Sequence, residues 1–349
     1  MDRIIFYVMV CLGFCISINN AQASDNAVIL LYHHVSEDTP SSTSVSPDTF
    51  NEHMTYLAEN YNVLPLKDIV TALQNKQSLP ENAIAVTFDD GFNNIYQNGH
   101  PILAKLNLPY TVFINPDLVG KVNYHLSWEA MRAMTKQGAS FANHNLRHEH
   151  LLNRLTNESD EAWLARRLSD IQQAEKLLED NLNVQDKFLA YPYGEYSPEL
   201  QTQLTQLGYV SFAQHSGAIA SFSDFSALPR FPAAGIYANL ARLKVKMASL
   251  AMPVQDPSPS TPLVSGEPFT FEFSVQSDDI NNAQITCYFQ GDAQKITVNQ
   301  ALVRVDFKQK LPAGRSRINC TAPSKRAPSR YYWYSKPWFI ASDKGEWLD

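Results

Sequence analysis

Two short clusters of ionisable side chains could carry chemistry in this chain. Thr87-Phe88-Asp89-Asp90-Gly91 closes a short apolar run, and His144-Asn145-Leu146-Arg147-His148 follows further along. Together they offer two carboxylates and two imidazoles, enough to hold a divalent metal on three protein ligands and leave one carboxylate as a base. Neighbouring side chains on a strand point to opposite faces, so Asp89 and Asp90 can share a cavity only where the strand ends, and Gly91 supplies that ending. One carboxylate can then bind a cation while the other takes a proton from water. His144 and His148, separated by three residues, lie on one side of a helical turn and can share the metal. The pattern lacks the Glu of the H-E-x-x-H peptidases. It also differs from a glycosidase, whose two carboxyls flank a sugar from opposite sides about 5 Å or more apart. The expectation is a metal-dependent hydrolase.

The elements that must position these groups follow from hydrophobic periodicity. From Ala27 to Leu250 short β-like runs alternate with helical ones, the pattern of a parallel α/β sheet or barrel. Val28 to Tyr32, Ile84 to Phe88, Tyr110 to Asn115, Phe188 to Tyr191 and Tyr209 to Ala213 read as buried strands. Ser46-Pro47-Asp48 opens a helix carrying Phe50, Met54 and Leu57 on one face. A long charged helix from Ser159 to Asp180 presents Leu164, Leu168, Ile171 and Leu178. Both chemical motifs then fall at strand C-terminal ends, the rim where barrel active sites gather.

Around Pro253 the composition changes. Pro253, Pro257, Pro259 and Pro262 with Ser and Thr between them predict a stiff linker over 251–262. Beyond it the period becomes two, with Phe269, Phe271, Phe273 and Val275 alternating with polar residues, as do Val303, Val305 and Phe307. That predicts a small all-β sandwich, immunoglobulin-like, over 263–349. Its aromatic cluster Tyr331, Tyr332, Trp333, Tyr334 and Trp338 fits either the module's own core and docking surface or a sugar-binding face.

The chain has 349 residues, 44% apolar and 18% charged, which is globular composition with room for two domains. Its net charge of -7 and pI near 5.7, with no dense Lys/Arg stripe, argue against a nucleic-acid partner and against an anionic polymer as substrate. Met1-Asp2-Arg3, an apolar run from Ile4 to Ile18 and Ala21-Gln22-Ala23 predict a secretory signal peptide over 1–23, leaving a first domain at 24–250 and no membrane span in the mature chain. Cys11 and Cys15 fall in that leader, behind residues too large for lipoprotein processing. Cys287 and Cys320 remain, and in a periplasmic or secreted setting they most simply form one disulfide in the C-terminal region. No feature speaks to oligomeric state.

Thr87-Phe88-Asp89-Asp90-Gly91, then His144-Asn145-Leu146-Arg147-His148 with Leu151, then Tyr191-Pro192-Tyr193-Gly194, resemble in order the motifs of the polysaccharide deacetylases, carbohydrate esterase family 4. The resemblance covers Val28 to Leu240 and implies a distorted (β/α)7-type barrel, the NodB-like domain. It implies Asp89 as base, and Asp90, His144 and His148 as ligands of Zn2+, with Co2+, Ni2+ or Mn2+ as other divalent candidates. Pro192 and Tyr193 would serve the oxyanion and substrate, the Tyr193 backbone N–H in particular. The Arg that usually opens the third motif is replaced by Ala190, so Arg230 is the candidate for orienting Asp89. No apolar strand ending in His follows Tyr193 clearly. Ile29-Leu30-Leu31-Tyr32-His33-His34 instead resembles the circularly permuted branch that includes the poly-N-acetylglucosamine de-N-acetylases, which implies His33 as general acid, with His215 its rival. The expected activity is hydrolysis of N-acetyl groups on an N-acetylglucosamine poly- or oligosaccharide, a linear-amide hydrolase reaction. The alternatives are an O-acetyl esterase on xylan or another acetylated glycan, and a catalytically idle glycan-binding protein.

Overall fold

A computed structural model describes residues 23–121 and 123–348. Most of the expected signal peptide, with Cys11 and Cys15, lies outside the described residues. Eight strands form one curled sheet, seven of them in one parallel path, β1 (Ala27–Tyr32), β2 (Ala83–Phe88), β3 (Tyr110–Ile114), β4 (Ala139–Asn143), β5 (Phe188–Ala190), β6 (Val210–Phe212) and β7 (Phe231–Pro232), while the two-residue strand Asn62–Val63 pairs with the start of β2 off that path. The spatial order of the seven is β6-β5-β4-β3-β2-β1-β7, and Leu228, just before β7, bridges back to Phe212 of β6. A barrel of the expected kind thus takes the form of a curled sheet whose two ends meet through one bridge.

β1 and β2 are buried along their whole length because helices cover the sheet, which is why they read as continuous apolar runs. The odd residues Ala83 and Ala85 of β2 join Phe113 and Phe212 in one core, and Ile84, Val86 and Phe88 join a second. Extending that alternation puts Thr87 and Asp89 on the Phe113 face. The helices are α1 (Pro47–Asn60), α2 (Leu66–Gln74), α3 (His100–Lys105), α4 (Trp128–Thr135), α5 (Asp160–Leu182), α6 (Pro198–Gln206) and α7 (Leu240–Met247). Ser46 caps α1 by accepting from Thr49 N, and Ser159 caps α5 by accepting from Ala162 N, as Ser at these positions does. α5 buries Trp163, Arg167, Ile171, Ala174 and Leu178, so its inward stripe is centred one residue before the expected Leu164 and Leu168, which are only partly buried.

Half of the expected linker is strand. β8 (Leu250–Ala251) pairs in parallel with the last strand, and β9 (Val254–Ser258) pairs with β10 (Phe269–Val275). Pro257, the one linker proline inside β9, is tolerated because β9 is the edge of its sheet and its pairing is irregular between Gln255 and Ser258, while Pro253, Pro259 and Pro262 lie outside the strand. The remaining strands are β11 (Thr286–Phe289), β12 (Asp292–Ala293), β13 (Ile296–Asn299), β14 (Leu302–Phe307), β15 (Gly314–Pro323) and β16 (Tyr331–Ile340). They complete two sheets, β8-β16-β15-β11-β12 and β9-β10-β14-β13, which share one core of Phe271, Phe273, Val303, Val305, Ile318 and Trp338.

Cys287 and Cys320 are bonded, as expected, but they are directly paired neighbours on β11 and β15 of one sheet. In antibody domains the bridge joins the two sheets, so the immunoglobulin comparison does not extend to this disulfide. Of the aromatic cluster Trp338 is buried, Tyr332, Trp333 and Tyr334 are half-buried and Tyr331 is exposed. Trp338 is fully buried against Phe269, Phe271 and Phe307, and Trp333 meets Phe231 of the first sheet edge-on at 5.2 Å.

Tyr332 has a structural partner as well. Asp279 accepts from its hydroxyl at 2.9 Å, from Ser324 Oγ at 2.6 Å and from Arg326 N at 2.7 Å. Burial pushes the Asp279 carboxyl up, but these donors and the Arg326 charge reverse that and hold it below the usual carboxylate value. Its stabilisation is therefore fully present above about pH 4, the unfolded value, and is lost as pH falls through the lower folded value. Unfolding free energy measured from pH 7 to pH 2 should fall by on the order of 1–3 kcal/mol more in the parent chain than in Asp279→Asn. Equal acid slopes in the two proteins would remove this role from Asp279.

Candidate active site

The turn after β2 separates the two carboxylates. Asp89 N donates to Tyr32 O at 3.0 Å, and Gly91 N donates to Asp89 O at 2.9 Å. Asp90 itself adopts a left-handed backbone, φ 70°, followed by Gly91 at φ 72°. That reversal, which Asp tolerates better than most residues, lets adjacent side chains serve one cavity. A side chain at Gly91 would also place its Cβ 2.6 Å from Ile114 Cδ1.

The two histidines come from the loop after β4, not from the expected helical turn. Asn145 and His148 have φ of 62° and 58°, which breaks any helix. Side chains shape the loop instead: Asn143 Oδ1 accepts from Asn145 N at 2.8 Å, and the Asn115 amide donates to the carbonyls of His144 and Asn145. Asn143 is anchored in turn to Glu175 of α5 at 3.0 Å.

His144 Nε2 and His148 Nε2 lie 3.2 and 3.1 Å from the same oxygen, Asp90 Oδ1, and the three ligand atoms fall within 4.8 Å of one another. Among the described residues this is the one cluster with metal-ligand composition and spacing. His144 Nδ1 lies 2.8 Å from Ala190 O, and a carbonyl only accepts, so that nitrogen carries the ring proton. Nε2 then turns a lone pair toward Asp90. Burial pushes the Asp90 carboxyl up; protonated imidazoles at His144, His148 and His33 would outweigh it and hold it well below the usual value, and where the rings are neutral a cation can take that part. Asp90 Oδ1 and His144 Nε2 are both buried without a hydrogen-bond partner. Two facing acceptors with no donor between them are what a cation satisfies, and one carboxylate with two imidazoles suits zinc and its neighbours. The donor set fits a divalent metal.

Asp89 is held differently. It is fully buried and gripped by Arg230 through two parallel bonds, Nη1–Oδ1 at 2.7 Å and Nη2–Oδ2 at 2.8 Å. Arg230 is itself fixed by Ala213 O at 3.1 Å and lies over the Phe113 ring. Burial raises the Asp89 carboxyl, but Arg230, His144 and His33 lower it further than burial raises it, leaving it ionised below the usual range. The carboxylate stays 4.0 Å from His144 Nε2, adjacent to the cation cluster and outside it.

The charges of Asp90, Asp89, Arg230 and His144 all act on His33, and burial lowers its imidazole against the pull of the two carboxylates. His215 is pushed down to about 3 by burial, then by Lys336, Arg317 and Arg230, and its carbonyl accepts from Arg230 N at 2.9 Å. Tyr193 takes a left-handed backbone, φ 57°, in the Pro192–Gly194 turn after β5, with its ring 4.6 Å from that of His148. Trp128, at the start of α4, is partly buried against the core.

Several contributors were missed by sequence reasoning. His150 stacks on Tyr193 at 3.8 Å and 5°, and its Nδ1 meets the buried Glu195 carboxylate at 3.0 Å. It is the third imidazole of the His144–His150 stretch, a signal that was legible. His125 contacts Asp90 O at 3.0 Å, and Arg315 reaches Tyr193 O at 2.6 Å from the C-terminal module; neither stands near a motif in sequence.

Residues 76–212 match the family model described as polysaccharide deacetylase. The Bacillus subtilis protein YxkH is 30% identical over 182 residues, 52% of this chain and 61% of that one. A poly-beta-1,6-N-acetyl-D-glucosamine N-deacetylase of Staphylococcus aureus (strain MRSA252) is 28% identical over 194 residues, 54% of this chain and 67% of its own. The chain thus spans about three-fifths of YxkH. In fold it resembles the Streptococcus pyogenes deacetylase PplD in complex with acetate, at TM-score 0.58 and 21% identity, over 65% of this chain and 99% of that one. IcaB from Ammonifex degensii superposes at TM-score 0.55 and 21% identity, over 64% and 98%. The matched segment contains both carboxylates, the two facing imidazoles and the Tyr193 turn. Residues 76–212 thus match the polysaccharide deacetylase family model, in a fold that resembles those of solved deacetylases.

Proposed function

We propose that this protein is a divalent-metal-dependent de-N-acetylase of N-acetylglucosamine-containing poly- or oligosaccharides. The observation that carries the reading is the convergence of Asp90, His144 and His148 beside an Arg-clamped, ionised Asp89, in a chain related to an N-deacetylase of that glycan class.

A cation on Asp90, His144 and His148, most suitably zinc, would supply Lewis-acid polarisation of water and of the acetyl carbonyl. Asp89 takes the proton of the attacking water, its direction fixed by Arg230. The Tyr193 backbone N–H would donate to the developing oxyanion, as the family resemblance implies, a reading supported by the Tyr193 ring lying beside that of His148. His33 delivers a proton to the nitrogen as the C–N bond breaks, leaving acetate and a free amine on the sugar. A lowered imidazole is the stronger acid once protonated, which suits that role. The apolar Ile4–Ile18 run and Ala21-Gln22-Ala23 support export to the periplasm or beyond, which the N-terminal sequence of the mature protein would test.

Acetate release by the full chain with added zinc, measured on β-1,6- and β-1,4-linked N-acetylglucosamine oligomers and on acetylxylan, tests the activity. Release from the amide substrates is expected. Release from acetylxylan alone would make the protein an O-acetyl esterase, and binding of glycans without any release would make it an idle binding protein.

A further inference from the structure

The Tyr193 turn is held from outside its own segment. Within it, Gly194 N donates to Tyr191 O at 2.8 Å and Glu195 N to Pro192 O at 3.2 Å, and neither bond reaches the Tyr193 carbonyl. That carbonyl accepts from Arg315 Nη1 at 2.6 Å, across 122 residues of sequence. The same nitrogen lies 3.2 Å from Gln214 Oε1. Gln214 is the residue on which Gly194 rests, since a Cβ at Gly194 would sit 2.8 Å from Gln214 Cβ and 2.9 Å from its backbone nitrogen. One guanidinium thus ties together the loop after β5 and the loop after β6.

Arg315 is presented by a rigid support. It lies on β15, a central strand of its sheet, paired with β16 over ten residue pairs from Gly314–Ile340 to Pro323–Tyr331. Its cross-strand partner Phe339 packs edge-on against Tyr196, two residues beyond Gly194, at 5.5 Å. A site held by sheet residues keeps its geometry better than one held by loops alone. Opposite, His150 stacks on the Tyr193 ring and is fixed by buried Glu195. The ring is held by the His144–His150 loop and the carbonyl by the C-terminal module.

We propose that Arg315 is a positioning residue for the active site, holding the left-handed Tyr193 turn in register with the cation ligands, so that the C-terminal module is a working part of the catalytic unit. This rests on the de-N-acetylase reading above. A left-handed non-glycine residue persists only where its surroundings enforce it, so losing Arg315 releases the Tyr193–Gly194 peptide while the ring stays stacked on His150. The expected consequence is a slower chemical step with substrate binding little changed.

The test compares the full metal-loaded chain with Arg315→Ala, Arg315→Lys and, as a control on the other sheet, Arg304→Ala. Arg315→Ala should lower kcat on the order of tenfold with KM within about twofold, as small misplacements of a reacting group do. Arg315→Lys should restore most of it, and Arg304→Ala should match the parent. Amide hydrogen exchange in 190–197 should quicken in Arg315→Ala while β15 and β16 exchange as before. Raised KM at constant kcat, unchanged exchange in 190–197, or faster exchange throughout the module would each overturn the proposal. If the parent chain releases no acetate from any glycan, the de-N-acetylase reading falls, and the exchange measurement alone decides the role of Arg315.

Discussion

Asp89→Asn is expected to lower kcat by roughly 10²–10⁴-fold, the usual contribution of a positioned general base, while KM and cation binding stay near those of the parent. Asp90, His144 and His148 are untouched by the change, and Asn keeps the shape and one acceptor for Arg230. The fold should nevertheless weaken. Asp89 and Arg230 form a fully buried, doubly bonded pair, and neutralising one member leaves the other an uncompensated charge, at a cost of about 3–5 kcal/mol. Kinetics and chemical denaturation on one preparation separate the two effects, because turnover is read per folded molecule. A variant that retains more than a tenth of parental kcat would place the base elsewhere.

Asp90→Asn should act through the cation instead. Asp90 Oδ1 is the oxygen that both imidazoles face, and its replacement by a neutral amide removes the negative charge from the ligand set. Losing even an outer-shell partner of a metal typically costs 10–100-fold in affinity or activity, so loss of this ligand should cost at least about 100-fold in affinity. Activity should fall in parallel and recover in part at high metal concentration, which Asp89→Asn cannot do. Stability gives an independent reading. Metal at a hundred times its Kd should stabilise the parent by about 2.7 kcal/mol and Asp90→Asn by no more than about 0.4 kcal/mol at the same concentration. If both proteins respond equally, the cation sits elsewhere.

The parts of the site legible in sequence are those governed by local rules. Continuous apolar runs marked β1 and β2 because both their faces are covered, and Ser46 and Ser159 announced helix starts through their hydroxyls. Asp89, Asp90, His144 and His148 were legible as a set, and Arg230 was the candidate for the missing motif arginine that the structure puts on Asp89. What escaped depends on contacts distant in sequence. The H-x-x-x-H spacing fits one helical turn, yet Asn115 and Asn143 bend the loop through left-handed residues, and only the folded sheet brings those side chains there. Pro257 imitates a linker because an edge strand tolerates it, and edge position is a property of the assembled sheet. Arg315 is one of two arginines on β15, and nothing local distinguishes it from Arg317 beside it or from Arg304 on β14.

The most direct test of the account is the metal content of the purified full chain, read by elemental analysis alongside acetate release before and after exhaustive chelation. The account predicts one divalent ion per chain, loss of acetate release when it is stripped, and recovery when one equivalent of zinc is returned. Undiminished acetate release from a chain shown to be metal-free would contradict it.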